Sequence, residues 1–455
     1  MAEVVVIGAG ISGLALAHRL VRAGRDVRVL EASARVGGVI RTDTIDGFLV
    51  EGGPNSVRST DALEALAAEV GLADVMLAAD SRAPRYVYSR EKLVRAPMGP
   101  ASLVTTPLLS LRAKLRLLGE PFVGRPRDGA EPSIETFVTR RLGREIHDTL
   151  VSAFVSGIYA GDTSKLSAEA VFPQLVEMER EHGGLLRGAL AMLRNRKSTP
   201  SSSGETPPPK RRGLTIVSFE GGLARLPAAI ADGLGDALSS NTAVEAIERT
   251  SDGFDVHTAG GERIAARTLV LATGAGPASA LLAPIAPRAG ELLGAIEYPS
   301  LVSVSLAYEG KDVGHSCEGF GFLAPRASGL RTLGAIFPSS LFPGRAPERW
   351  HSFTCFVGGA TDPRAVELDD EAIVAVVAED LGRAVRARGT PKVLSVTRWQ
   401  RAIPQYTIGH IGRIAEVERD VEAAGVRLIG NYLHGVSVGE CVAEANRVAA
   451  TLTVA

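Results

Sequence analysis

Apolar residues along this chain recur with two periods, and the places where the period changes mark its elements. Val4, Val5, Val6 and Ile7 form a short continuous apolar run of strand type. Residues 11–23 then place apolar side chains at helical spacing, with Gly24 as the stop, and residues 27–30 form a second strand. The pattern predicts a helix over 61–70, with Leu63, Leu66, Ala67 and Val70 on one side and Gly71 after it. A strand follows at 85–88, and Arg90-Glu91-Lys92 reads as a hairpin leading into Leu93 and Val94. From Pro97 to about Leu193 helical spacing dominates, in 108–118, 134–142, 146–154 and 185–193. The stretch 194–212 is Ser, Pro and charge, which buries too little apolar surface to offset chain entropy, so a mobile loop is expected. Strands are read at 214–219, 243–249, 253–258 and 268–274, and Glu220-Gly221-Gly222-Leu223 opens a helix over 226–234. Strands at 301–308, 321–324, 332–336 and 352–357 suggest a mixed sheet of a separate domain. A last strand, 426–429, leads through Gly430 and Asn431 to a closing helix over 442–452.

The first turn carries the clearest chemistry. Gly8-Ala9-Gly10-Ile11-Ser12-Gly13 joins the first strand to the first helix. Gly8 permits the tight turn, Gly10 lets backbone approach a pyrophosphate, and Gly13 lets the helix pack on the strand. The helix start then presents free N–H groups to phosphate. Glu31, at the end of the second strand, stands at the distance expected for a ribose-binding acid. Directly after it come Ala32, Arg35, Gly37 and Gly38 in a second glycine-rich element, and Gly52-Gly53-Pro54-Asn55 is a third. Such loops let backbone amides reach phosphate oxygens along a bound dinucleotide.

Composition narrows the partners. The chain has 455 residues, 45% of them hydrophobic, so a core and more than one domain are expected. A net charge of −1 and a pI near 6.7 do not favour nucleic acid as a partner. Cys317, Cys355 and Cys441 are too scattered for a disulfide framework or a metal site. The first strand begins so near Met1 that no signal or transit peptide is expected, and no apolar run reaches the roughly 18 residues of a spanning helix. The overall expectation is a large soluble enzyme.

From the Rossmann turn through Glu31 to Arg35-Val36-Gly37-Gly38, the N-terminus resembles the flavin-containing amine oxidase superfamily, which implies FAD. Three further patterns, Gly157-Ile158-Tyr159-Ala160-Gly161-Asp162, Ile403-Pro404-Gln405-Tyr406-Thr407-Ile408-Gly409-His410 and Gly430-Asn431-Tyr432 through Gly435-Val436-Ser437-Val438-Gly439-Glu440-Cys441, resemble its protoporphyrinogen-oxidising branch. The resemblance implies an α/β fold, with a Rossmann-type FAD domain, a mixed-sheet substrate domain and a helical, membrane-associating insertion. The FAD domain is expected over 1–60, 213–280 and 390–455, the substrate domain over 61–90 and 281–389, and the insertion over 91–212. It also implies that Val244 contacts the adenine end of FAD and that Ala272-Thr273-Gly274 is a second cofactor turn. Gly430, Asn431, Gly435, Val436 and Val438 are then placed at the flavin ring, where backbone amides could stabilise negative charge. A plain strand-to-helix turn would use glycine there as well.

The substrate implied is a carboxylate-bearing porphyrinogen, oxidised by three two-electron steps with dioxygen as acceptor, in porphyrin and haem biosynthesis. Arg85 would pair with a propionate, and Gly157, Phe320, Gly321, Leu323, Ile336 and Phe356 would line the macrocycle. Asn55 falls at a position that varies in the family. Trp399 and Tyr406 are either aromatic walls beside the flavin or core residues, and His410 and His434 read first as structural histidines. No catalytic acid or base is named. The Leu-rich stretch 97–121, with Arg112, Lys114 and Arg116, would suit a bilayer interface or cover the substrate site. The resemblance favours peripheral attachment on the cytoplasmic side and allows a homodimer. Alternatives are a coproporphyrinogen oxidase of the same fold, an amine oxidase or desaturase, and a flavin-binding scaffold without turnover. Glu440 before Cys441 and the pair Leu433-His434 depart from the family pattern.

Overall fold

The computed structural model describes residues 2–125, 129–198 and 215–454. The first of its two seven-stranded sheets has the parallel strands Leu238–Ser239, Val27–Leu30, Ala2–Ile7 and Arg263–Leu271 side by side, with Val426–Leu428 also parallel to Arg263–Leu271. Gly253–Thr258 and Val244–Thr250 extend it antiparallel. Alternation explains the unbroken apolar run at the start. Val4 and Val6 point into a core with Leu14, Leu20 and the closing helix Val438–Val454, whereas Val5 and Ile7 point into a second core with Leu282, Leu293, Ile414 and Val417. A strand covered by helices on both faces has no position for a polar residue.

The second sheet runs Lys392–Trp399, Leu301–Glu309, Trp350–Gly358, Thr332–Ile336, Gly321–Leu323, Arg85–Ser89 and Lys92–Arg95. One face carries Tyr86, Tyr88, Phe322, Ala335, Cys355, Val302 and Val304, and it packs under the helix Asp370–Ala384 through Ile373, Val377 and Leu381. The register puts Arg85, Gly321, Leu323, Ile336, Gly334, Thr354, Phe356, Ser303, Ser305 and Trp399 on the other.

Four expected assignments change. The strand Lys392–Trp399, expected in the FAD domain, hydrogen-bonds along Leu301–Glu309 and so belongs to the second sheet. The helix Asp61–Glu69, expected in the substrate domain, buries Leu63, Leu66 and Ala67 in the core of the first sheet. So does the helix Pro287–Gly294, whose Leu293 joins the other core of that sheet. The strand Lys92–Arg95, expected in the insertion, pairs with Arg85–Ser89 at the edge of the second sheet. Backbone pairing decides the strands, and the buried apolar face decides the helices.

The helical block spans 100–198. Its core is Ile134, Phe137, Val138, Val155, Leu166 and Val176, and the helix Leu185–Ser198 continues beyond the predicted end into the stretch expected to be loop. The remainder of that expected loop, 199–212, lies outside the described residues. No helix of the described residues is long and apolar enough to cross a membrane.

Candidate cofactor and substrate site

Steric limits hold the first turn. Gly8 has φ +105°, and a Cβ there would lie 3.0 Å from the backbone of Ala272. At Gly13 it would lie 2.0 Å from the carbonyl oxygen of Gly8, and at Gly53 1.9 Å from that of Val39. Gly10 and Gly274, by contrast, face open space. Glu31 accepts hydrogen bonds from the N–H of Ala9 at 2.8 Å and from Ser33, so its carboxylate is fixed across the mouth of the turn. Ala32 lies between these two. Arg35 acts on the backbone: its guanidinium donates to the carbonyls of Val36, Gly38 and Ile40. This holds the second glycine-rich loop while Gly37 N–H donates to Ala9 at 2.8 Å. Thr242 N–H donates to the carbonyl of Glu31 at 2.7 Å, which brings the strand that starts at Val244 toward Glu31. Ala272 N–H donates to Ile7, so Ala272, Thr273 and Gly274 leave the sheet at the same edge as Gly8.

The C-terminal segment closes on this edge. Ile429 N–H donates to Leu271 at 3.0 Å. Among the described residues, the N–H groups of Asn431, Tyr432, His434, Gly435 and Val436 find no acceptor within the chain. The closing helix begins with a capping box: Ser437 Oγ accepts from the N–H of Glu440 at 3.2 Å, and the Glu440 carboxylate accepts from the N–H of Ser437 at 3.1 Å. That role accounts for the acid before Cys441. Ile11 and Cys441 share one core, so the two helix starts, Ile11–Ser12 and Val438–Cys441, stand together. A cavity of about 290 Å³ is lined by Gly430, His434, Gly435, Glu440, Cys441 and Arg447. Unpaired N–H donors, positions where a Cβ would meet backbone, and open space at Gly10 together fit a dinucleotide.

The second sheet supplies the other half. Arg85 is partly buried, its guanidinium is 5.1 Å from the centroid of the Phe320 ring, and burial lowers its pKa. Its Nη1 is 3.8 Å from Met98 Sδ, and no carboxylate among the described residues pairs with it. Phe320 and Ile336 pack with Leu341 and Phe342 at one end of the face, while Phe356 and Trp399 pack with Leu301 and Leu333 at the other. Between them lies Leu323, against which Gly157 seats the helix Ser152–Tyr159: a Cβ on Gly157 would lie 2.3 Å from Leu323 Cδ2. Asn55, after Pro54, is buried and donates to the carbonyl of Gly53 at 3.2 Å, leaving Oδ1 without a partner among the described residues.

Sequence reasoning missed two features here. Ser303, Ser305 and Thr354 are buried hydroxyls on the face shared by Arg85 and Phe356, and Ser305 Oγ has no partner among the described residues. The alternation Leu301-Val302-Ser303-Val304-Ser305 was the available signal. Glu51 and Arg345, both buried and 2.9 Å apart, tie the strand Phe48–Glu51 to the loop before Trp350. His434 is exposed and 2.7 Å from Glu418, whereas His410 is buried. No group of metal-ligating side chains is present among the described residues.

Comparison with known proteins agrees with this geometry. Residues 11–453 match the family model of flavin-containing amine oxidoreductases. The chloroplastic protoporphyrinogen oxidase of Nicotiana tabacum is 35% identical over 99% of this chain and 85% of its own length. The coproporphyrinogen III oxidase of Bacillus subtilis is 29% identical, covering 97% of this chain and 95% of its own. A crystal structure from Exiguobacterium sp. 255-15 superposes on the whole chain and on 99% of its own with a TM-score of 0.82 at 25% identity. FAD is the cofactor. The chain belongs to the flavin-containing amine oxidoreductase family.

Proposed function

We propose that this protein oxidises protoporphyrinogen IX to protoporphyrin IX, with dioxygen as the final acceptor, in porphyrin and haem biosynthesis. The observation that carries the reading is Arg85, a partly buried cation stacked on Phe320 on the inner face of the second sheet, with no carboxylate partner among the described residues. A propionate of the substrate would complete it. Phe320, Ile336, Leu323 and Phe356 then hold the macrocycle by apolar contact and exclude water, and Gly157 lets the helix Ser152–Tyr159 seat directly on Leu323. Bound FAD supplies the two-electron acceptor. The chain orients the substrate, which supplies much of the rate when the reacting atoms are already adjacent. Strand Leu301–Glu309 has no lysine, which disfavours an amine substrate.

A second reading, oxidation of coproporphyrinogen III, is favoured by the full-length match to the Bacillus subtilis enzyme. The test is a side-by-side assay of both porphyrinogens with the purified flavoprotein, following porphyrin fluorescence and oxygen uptake. Faster turnover of coproporphyrinogen would establish the second reading; a yellow protein that turns over neither would be a flavin-binding scaffold.

A peripheral position on the cytoplasmic face of the membrane is part of the proposal. On the helix Leu111–Leu118, Leu111, Leu115 and Leu118 form an exposed stripe at 73%, 60% and 65%, and Phe122 beyond it is 86% exposed. Arg112 and Lys114 flank them, as in an interfacial helix. Co-sedimentation with anionic vesicles should be lost on changing Leu115 and Phe122 to serine. Undiminished binding by that variant would remove the stripe from consideration.

A further inference from the structure

We propose that Tyr406 and His410 are positioning residues for the flavin, forming a stacked plate that aims the backbone donors of the loop before the closing helix. The proposal rests on flavin binding alone and not on the porphyrinogen reading.

The two rings are parallel, 4.1 Å apart with 13° between their planes, and both are buried. Tyr406 Oη donates to the carbonyl of Asn431 at 2.7 Å, and His410 Nε2 lies 3.3 Å from the carbonyl of Leu433. A peptide group is planar, with its C=O and N–H pointing in opposite directions. Pinning the carbonyl of Asn431 therefore directs the N–H of Tyr432 away from the plate, and pinning that of Leu433 directs the N–H of His434 the same way. Both N–H groups are among those without an acceptor in the described chain. His410 Nδ1 is buried with no partner among the described residues, so the ring is neutral and its proton sits on Nε2, where the carbonyl requires a donor.

The plate is fixed from the other side by the helical block. Ser167 N–H donates to the carbonyl of Tyr406 at 2.8 Å, Gln405 Nε2 donates to Tyr159 at 2.8 Å, and Gly409 N–H donates to the Glu131 carboxylate at 2.8 Å. The same block lays Gly157 on Leu323. Cofactor loop and substrate cover thus meet at one rigid pair of rings.

Tyr406→Phe keeps the stack and removes one hydrogen bond. FAD titration of the apoprotein should show a dissociation constant raised about fivefold, the value of one ordinary hydrogen bond, with a shifted absorption band of the bound flavin. His410→Phe should act in the same direction, and His410→Gln, which restores a neutral donor, should return affinity to within about twofold of the parent. Tyr86→Phe is the control, because its hydroxyl donates to a buried-side carbonyl, that of Glu318, at 3.0 Å on the far face of the second sheet. FAD affinity and spectrum unchanged in Tyr406→Phe, or weakened equally in Tyr86→Phe, would overturn the proposal.

Discussion

Arg85 is the residue whose surroundings say most, because a cation stacked on a ring with no acid nearby is half of an interaction. Changing it to alanine should raise KM for the porphyrinogen roughly tenfold or more while lowering kcat less, as expected for loss of one charge-assisted contact. Steady-state kinetics decide this, and an unchanged KM would place Arg85 outside the site. Gly13 is a stricter case: a methyl there would sit 2.0 Å from the oxygen of Gly8. Gly13→Ala should therefore purify without flavin absorbance. His410 gives a pH signature. Burial pulls its pKa down to about 4, with the Leu433 carbonyl opposing and the charges of Arg413 and His434 reinforcing. Above the ordinary value of 6.5 the ring is neutral whether folded or unfolded. Between 6.5 and about 4 only the unfolded chain gains the proton, so stability falls as pH drops through that window. The Tm of the parent should decline more steeply than that of His410→Gln between pH 7 and 4.5, and parallel curves would contradict it. At this scale Gly8, Gly13 and Glu31 were legible because their constraints act within a few residues or one strand length. Ser305 and Tyr406 were not, since the face that Ser305 occupies depends on register with Thr354, and the partner of Tyr406 is a carbonyl at Asn431.

Elements show the same division. Helical spacing sufficed to find the block over 100–198, but not what fastens it. Arg141 and Glu120, both fully buried and 3.2 Å apart, share a network with Glu179, and Glu120 also accepts from the N–H groups of Leu185 and Leu186. One acid therefore caps a helix and neutralises an arginine. Glu120→Ala leaves Arg141 to Glu179, which Arg140 also shares, and strands the N–H groups of Leu185 and Leu186, at a cost of about 1–3 kcal/mol. Limited proteolysis should then cut the block while the dinucleotide sheet survives. Resistance equal to the parent would show that the network is dispensable. The strand Lys392–Trp399 was misassigned for the converse reason: its residues look like a strand in any sheet, and only pairing with Leu301–Glu309 decides which.

For the whole molecule, cofactor and fold are coupled by mass action. FAD at about a hundredfold over its dissociation constant should stabilise by about 2.7 kcal/mol, seen as a higher Tm than the apoprotein in a thermal scan; coincident transitions would mean that the cradle is not the binding site. The cradle takes in both ends of the sequence. Arg19 Nε donates to Asn446 at 2.8 Å and Arg25 to the carbonyl of Thr453 at 2.9 Å, and Leu14, Leu20, Ala445 and Val448 share one core. During synthesis the first helix therefore emerges with its outer flank uncovered and stays so until the closing helix Val438–Val454 has been made. Hundreds of intervening residues must be made before that flank is dry, and an exposed apolar surface of such duration invites chaperone holding. Capture of the ligand by a completed cradle therefore has to follow synthesis of that closing helix.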